Sequence, residues 1–285
     1  MSYIFNVPSG IGDISWIYSK LVNFPYPFQL KIVKDEPQRS LPFTRLLPRV
    51  INSAYSNYSY VGDFVKAKRI LPSNTDLPSL DPGEYFLSAN PHLEQGNRIE
   101  TYLPTLPTSF HYDIKDEPID LGLQGKLIGI YPSKYQTYGW HFWEVKEWVE
   151  FMTLVRDFLG GCSFVVIGAG FDKGLGDDLA KEEGLIIKSF VGKTFCGQLV
   201  NLIKQLDFLV AYPSGVGVLG GVLSVPTLHF IPPQPWIEKM RGSYADPKDI
   251  ISKRHVNLLF TTPEVAFETF KEMYLNQTPE LPNAA

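Results

Sequence analysis

The sequence predicts an α/β protein made of two similar Rossmann-like domains with parallel sheets, facing each other. Three observations predict it. Strand-like and helix-like runs alternate from Leu127 to Phe230, the mark of a doubly wound parallel sheet. A strand, a glycine turn and a helix occur near both ends of the chain. Between them, Asp116 to Lys126 (DEPIDLGLQGK) is a polar Pro/Gly stretch suited to a boundary. The expected domains are residues 1–122 and 123–285, with the last helix free to pack back on the first domain.

Asp207 to Phe230 reads DFLVAYPSGVGVLGGVLSVPTLHF. Phe208 to Tyr212 suits a buried strand, Pro213-Ser214-Gly215 a break, and Val216 to Leu223 a helix apolar on every face. Thr227 to Ile231 is the next strand. Ligands of open parallel sheets bind beyond the carboxyl ends of the strands. Ser214 and Gly215 are therefore expected at a helix N-terminus whose N–H groups and dipole favour an anion.

Further strands are expected at Leu127 to Tyr131, Ser163 to Ile167 and Leu185 to Phe190. Helices are expected at Phe142 to Phe158, Leu175 to Glu183 and Gly197 to Gln205. Trp143 and Trp148 fall at core spacing. Four strand-to-helix turns are small or polar and can converge on one ligand: Pro132-Ser133-Lys134, Gly168-Ala169-Gly170, Gly192-Lys193-Thr194 and Pro213-Ser214-Gly215.

In the first domain, Tyr3 to Val7 is a strand and Pro8-Ser9-Gly10-Ile11-Gly12-Asp13 a glycine-rich turn. Ile14 to Val22 is a helix with Asp13 at or near its N-cap. Asp13 is either a capping carboxylate or one placed at the mouth of a cleft. Phe28 to Val33 is a second strand, and Phe43 to Ala54 is expected to be a helix. From Lys31 to Arg69, eight basic residues meet three acids, a solvated face or a surface for a phosphate-bearing acceptor. Ser88 to Leu103 carries His92, Glu94, Arg98 and Glu100, either an exposed helix start or an acceptor-binding segment.

Composition narrows the function. With 285 residues, 44% hydrophobic and 20% charged, the chain is globular. A net charge of −4 argues against a dedicated nucleic-acid binder. Cys162 and Cys196 lack a CxxC partner, and the five histidines are scattered without an H-E-x-x-H, so no zinc or other metal site is expected. No signal-peptide pattern and no apolar run of about 18 residues occurs, which points to the cytoplasm.

Two motifs mislead. Gly215, Gly217 and Gly220 form a G-x-G-x-x-G, but the following strand ends in Ile231-Pro232-Pro233 rather than the acid a nicotinamide or flavin site needs. Gly192-Lys193-Thr194 resembles the end of a P-loop, but Ile187 occupies the position of its first glycine. Asp172, after Gly168-Ala169-Gly170, is either a ribose-binding acid or a helix cap.

Taken together, Gly10-Ile11-Gly12-Asp13, Gly192-Lys193-Thr194 and Ser214-Gly215…Ser224-Val225-Pro226-Thr227 resemble the GT-B glycosyltransferases. The resemblance is to the ADP-heptose:lipopolysaccharide heptosyltransferase group and related phage-encoded transferases, and is best from about Leu127 to Phe230. It implies a GT-B fold with the donor nucleotide in the C-terminal domain. It also implies inverting sugar transfer without metal or cofactor, with Asp13 as general base. Ser214-Gly215 would contact the donor diphosphate and Asp172 the ribose. Gly12, Ser133, Lys134, Gly170, Gly192, Lys193 and Gly217 complete the candidate nucleotide-sugar contacts. His92, Glu94 and Arg98 are the candidate acceptor contacts.

The chain departs from the pattern at three places. Pro213 replaces the usual Asp, Val218 replaces a histidine, and the Lys-Arg-Trp run is reduced to Lys134 and Trp140. A glycan, another hydroxyl-bearing molecule or modified DNA would serve as acceptor, in the host cytoplasm if the protein is phage-encoded. A nucleotide-sugar epimerase and a non-catalytic nucleotide-sugar binder are the alternatives on this architecture.

Overall fold

The computed structural model describes residues 2–32, 40–56, 80–87, 106–132, 142–212, 214–231 and 245–277. They fall into two compact units, Met1–Glu117 and Pro118–Ala285. The stretch after Pro118 is tied to the second unit. The Ile119 N–H donates to Asn201 Oδ1 at 3.1 Å, and Lys188 Nζ donates to the Leu121 carbonyl at 2.6 Å.

The first unit has a four-stranded parallel sheet in the order β3-β2-β1-β4: β1 (Tyr3–Val7), β2 (Phe28–Ile32), β3 (Val50–Tyr55) and β4 (Glu84–Phe86). Along β1 and β2, alternation puts Phe5, Val7, Phe28, Leu30 and Ile32 in the core. Helix α1 (Ile11–Leu21) contributes Ile14, Ile17, Tyr18 and Leu21 to the buried set. The helix expected over Phe43 to Ala54 is corrected. A short α2 (Ser40–Thr44) ends early and β3 follows. Pro48 disfavours helical geometry at Leu47, and the β-branched Val50 and Ile51 favour a strand.

The second unit has six parallel strands in the order β10-β9-β8-β5-β6-β7. They are β5 (Leu127–Tyr131), β6 (Ser163–Val166), β7 (Ile186–Ser189), β8 (Phe208–Ala211), β9 (Thr227–Ile231) and β10 (His255–Leu259). Strands β5, β6, β8 and β9 are buried along their length, as expected of a sheet covered on both faces. The helices are α3 (Val145–Leu159), α4 (Lys173–Leu179), α5 (Cys196–Lys204), α6 (Gly215–Val222), α7 (Pro247–Ile251) and α8 (Pro263–Gln277).

Trp143 and Trp148 are buried and meet edge to face, with ring centroids 4.8 Å apart. In α8, Phe270 packs on Phe151 of α3 and Phe208 of β8. The order of strands reverses between β5 and β8. That places the carboxyl ends of β5 and β8 side by side, where open α/β sheets leave a crevice.

Candidate functional site

In the first unit the candidate residue is Asp13. Helix α1 starts at Ile11 with Gly10 as N-cap, so Asp13 is the third helical residue, near the N-cap but not itself the cap. Its carboxylate makes no hydrogen bond with the described residues. It folds back over Gly10, where a Cβ would lie 2.4 Å from Asp13 Oδ2. Gly10 is thus what gives the carboxylate its room. Ser40 fixes the same turn by donating to the Ser9 carbonyl. Burial pushes the Asp13 carboxyl up to about 6, against the opposing field of the helix N-terminus. Gly12 is the preceding helical residue, half-buried.

Of the eight basic residues from Lys31 to Arg69, Lys31 is paired with Glu84 at 3.0 Å, and Arg49 donates to the Val22 carbonyl at 3.0 Å. His92, Glu94, Arg98 and Glu100 lie outside the described residues, as do Lys34, Arg39, Lys66, Lys68 and Arg69.

In the second unit the turn after β8 opens α6. Ser214 is its N-cap, and Ser214 Oγ accepts from the N–H groups of Val216 at 3.2 Å and Gly217 at 3.4 Å. Ser214 thus satisfies two of the helix's orphan donors itself. The Gly215 N–H has no acceptor among the described residues. It is the first-turn donor that the described residues leave without an acceptor.

The turns after β6 and β7 are locked together. Gly192 has φ +67°, and a Cβ there would meet Gly170 Cα at 3.2 Å. The Gly192 N–H donates to the Gly168 carbonyl at 3.0 Å. Asp172 is turned inward: Oδ2 accepts from the Ala169 N–H at 2.8 Å, and the residue is 5% exposed. Lys193 Nζ donates to the Ser189 carbonyl at 2.9 Å. Ser133, Lys134 and Trp140, from the turn after β5, lie outside the described residues, as does Pro213.

Two residues of the second unit escaped the sequence reading: His229 and His255, which lie on adjacent strands under α6. A Cβ on Gly217 would meet His229 Nε2 at 2.7 Å, and one on Gly221 would meet His255 Nδ1 at 3.2 Å. The two rings meet edge to face at 5.8 Å. Burial holds both neutral, lowering His229 to about 3, with the neighbouring His255 adding to the effect, and His255 to about 4. The signal was a helix with glycines four residues apart followed by a histidine in a buried strand.

Among the described residues no group of three or more His, Cys, Asp or Glu side chains could hold a metal ion. No helix among them is long and apolar enough to cross a membrane.

No protein-family model matches the sequence, and no curated protein matches it. Solved structures do resemble its fold. The Escherichia coli ADP-heptose lipopolysaccharide heptosyltransferase II is similar at 15% identity and a TM-score of 0.63, over 97% of this chain and 99% of that one. A glycosyl transferase of family 9 from Veillonella parvula is similar at 12% identity and 0.64, over 97% and 98%. The Escherichia coli heptosyltransferase WaaC, solved with ADP, is similar at 13% identity and 0.60, over 95% and 99%. At these identities the likeness is one of fold, and the fold is that of the heptosyltransferase-like GT-B glycosyltransferases.

Proposed function

We propose that this protein is a glycosyltransferase that moves a sugar from a nucleoside-diphosphate donor to an acceptor hydroxyl. The observation that carries the reading is Asp13, a carboxylate in the first turn of α1 that makes no hydrogen bond with the described residues and whose pKa burial pushes up to about 6. A general base works best with a pKa near the working pH, and a positioned one contributes ~10²–10⁴-fold. Asp13 takes the acceptor proton as the acceptor oxygen attacks the anomeric carbon from the face opposite the leaving group, so the sugar is inverted. The negative charge that builds on the departing diphosphate is met by the Gly215 N–H and the dipole of α6. No metal or cofactor is required by this scheme.

The fold likeness to enzymes named for ADP-heptose and lipopolysaccharide supports a nucleotide sugar as donor and a glycan as acceptor. Asp172 and Lys193 are engaged with their own turns. Contact with the ribose or phosphates would need those side chains to turn outward on binding. We place the reaction in the cytoplasm, where nucleotide sugars are made.

A panel of nucleotide sugars screened by thermal shift tests the reading. A true donor at 100 times its Kd adds ~2.7 kcal/mol of stability. Gly215→Val should abolish that shift while the unliganded protein still folds. Binding of every donor by Gly215→Val as tightly as by the parent would place the diphosphate elsewhere. Donor turnover with no acceptor present would point to an epimerase.

A further inference from the structure

Phenylalanine is a core residue in this chain: Phe5, Phe28, Phe151, Phe208 and Phe230 are buried. Phe171 and Phe195 are the exceptions, 57% and 77% exposed. Both stand at the carboxyl edge of the second unit's sheet. Phe171 lies in the single helical turn Gly170–Asp172 after β6, and Phe195 is the N-cap of α5, after β7. One exposed apolar side chain is ordinary, but two large rings on neighbouring turns form a patch.

The backbone keeps the two turns together. Strands β6 and β7 are adjacent and parallel. The Gly192 N–H donates to the Gly168 carbonyl at 3.0 Å, and a Cβ on Gly192 would lie 3.2 Å from Gly170 Cα. Phe171 follows Gly170 directly, and Phe195 comes shortly after Gly192. There is room beside the rings, since Gly170 is exposed and a Cβ on it would meet nothing within 4 Å. Three polar side chains of these turns are tied to the backbone. Asp172 Oδ2 accepts from the Ala169 N–H, Lys193 Nζ donates to the Ser189 carbonyl, and Gln198 Oε1 accepts from the Phe195 N–H. The large apolar surface that the two turns leave to solvent is that of the rings.

The sheet sets their distance from α6. In the order β8-β5-β6-β7, the turns after β6 and β7 are two and three strands from the turn that opens α6. At the usual spacing between strands this is roughly 10 and 14 Å along the edge. A nucleoside diphosphate laid along the edge, with its phosphates at the Gly215 N–H, carries its base across the ribose toward these two turns. A nucleobase is planar, and every base has a face that stacks on an aromatic side chain.

We propose that Phe171 and Phe195 form an aromatic platform that holds the nucleobase of the donor by its face. The inference rests on the donor reading given above for the α6 N-terminus, and it assigns the end of the nucleotide away from the diphosphate. The platform adds to donor binding and takes no part in the chemical step.

The test uses the full chain and the nucleoside diphosphates ADP, GDP, CDP and UDP, titrated by calorimetry. Phe171→Leu and Phe195→Leu keep an apolar side chain and remove the aromatic face. Phe171→Tyr and Phe195→Tyr keep the face. Both side chains are exposed, so all four variants should melt with the parent. For the nucleotides that the parent binds, each Leu variant should raise Kd about tenfold, and the double Leu variant should raise it further. The Tyr variants should stay near the parent. In proton NMR, the base protons of the nucleotide should move upfield on binding to the parent, the ring-current mark of stacking, and this shift should vanish in the double Leu variant.

Leu variants that bind nucleotide like the parent overturn the platform and leave the donor reading standing. If they also lose a dimer that the parent forms, the rings are a contact between copies of the chain. Tyr variants that lose as much affinity as the Leu variants overturn it too, because the aromatic face is then not what is recognised. So does a parent complex whose base protons do not move upfield, since the rings then only support the turns. A parent that binds none of the four nucleotides refutes the donor reading itself, and the platform falls with it.

Discussion

Gly217 stands so close to His229 that a Cβ on it would lie 2.7 Å from the imidazole Nε2. Helix α6 is therefore set on β9 at a distance that only glycine allows. Gly217→Ala must push the helix off the ring or tilt it, and overpacking of this kind costs about 1–3 kcal/mol. Because α6 carries the candidate diphosphate turn, the same variant should bind donor more weakly. Gly174, in α4, is the control: a Cβ there meets nothing within 4 Å. Gly174→Ala should gain about 0.5–1 kcal/mol from helix propensity. Urea melts of the two variants would read opposite signs. A neutral Gly217→Ala would show that the ring has room to retreat.

The two buried histidines make stability fall in acid. Their folded pKa values, about 3 and about 4, lie below the ordinary 6.5. The unfolded chain therefore binds more protons below pH 6.5, and each histidine withdraws about 1.4 kcal/mol per pH unit until its folded pKa is reached. Asp249 and Asn257 oppose this at His255 by favouring its charged form. Asp13 works in the other sense between its unfolded value and about 6. Two protons against one leave a net loss. The midpoint of unfolding should drop steadily from pH 6.5 to pH 4, and His255→Leu should flatten that slope. A flat profile in the parent would mean that the rings are charged or solvated in the fold.

The inward turn of Asp172 has a measurable cost when removed. Its Oδ2 holds the Ala169 N–H, and its side chain lies against Gly168, where a Cβ would meet Asp172 Cβ at 3.0 Å. Asp172→Ala leaves a partly buried N–H without its acceptor, worth about 1–3 kcal/mol. Donor affinity should fall no further than that local loosening explains if the residue is a turn-holder. A Kd raised more than about 100-fold with an unchanged melt would instead make it a ribose ligand.

Much of the fold was legible because its signals are local. The buried strands of the second unit are continuous apolar runs, and the small residues between them mark the turns. The place of Ser214 and Gly215 at a helix N-terminus was legible for the same reason, though not that Ser214 is the cap. The region from Phe43 to Ala54 misled because apolar residues at mixed spacing suit a helix until Pro48 is weighed against them. What remained hidden is non-local. Nothing near Gly10 in sequence says that Asp13 folds over it, and His229 meets Ser214 only because β9 lies beside β8. Helix α8 was placed by rings on α3 and β8, which are far from it in the chain.

Asp13→Asn separates a structural carboxylate from a chemical one. From sequence Asp13 was either a capping carboxylate or one placed at the mouth of a cleft, and as a cap its replacement by Asn would cost about 1 kcal/mol or less. The structure shows no cap bond and a carboxyl pushed up to about 6 by burial. A raised folded pKa means that the neutral form is favoured in the fold. Its stabilising contribution is present below the unfolded value of 3.8 and is lost as pH rises through about 6. At pH 8 the charged carboxylate is therefore held at a cost. The rise from 3.8 to about 6 bounds that cost at about 3 kcal/mol, and partial solvent access and the helix dipole reduce it to about 1–2 kcal/mol. Asn carries no charge and escapes that cost. Asp13→Asn should be more stable than the parent at pH 8 and indistinguishable from it near pH 3.5. If Asp13 is also the base, the variant should turn over ~10²-fold more slowly with donor affinity nearly unchanged. The parent's kcat should fall below about pH 6, and that acid limb should be missing from the variant's residual rate. Gain of stability with loss of turnover is the behaviour of a carboxylate kept for chemistry. A variant that gains stability and keeps its rate would leave Asp13 without a role in transfer, and the base would be sought among His92, Glu94 and Glu100.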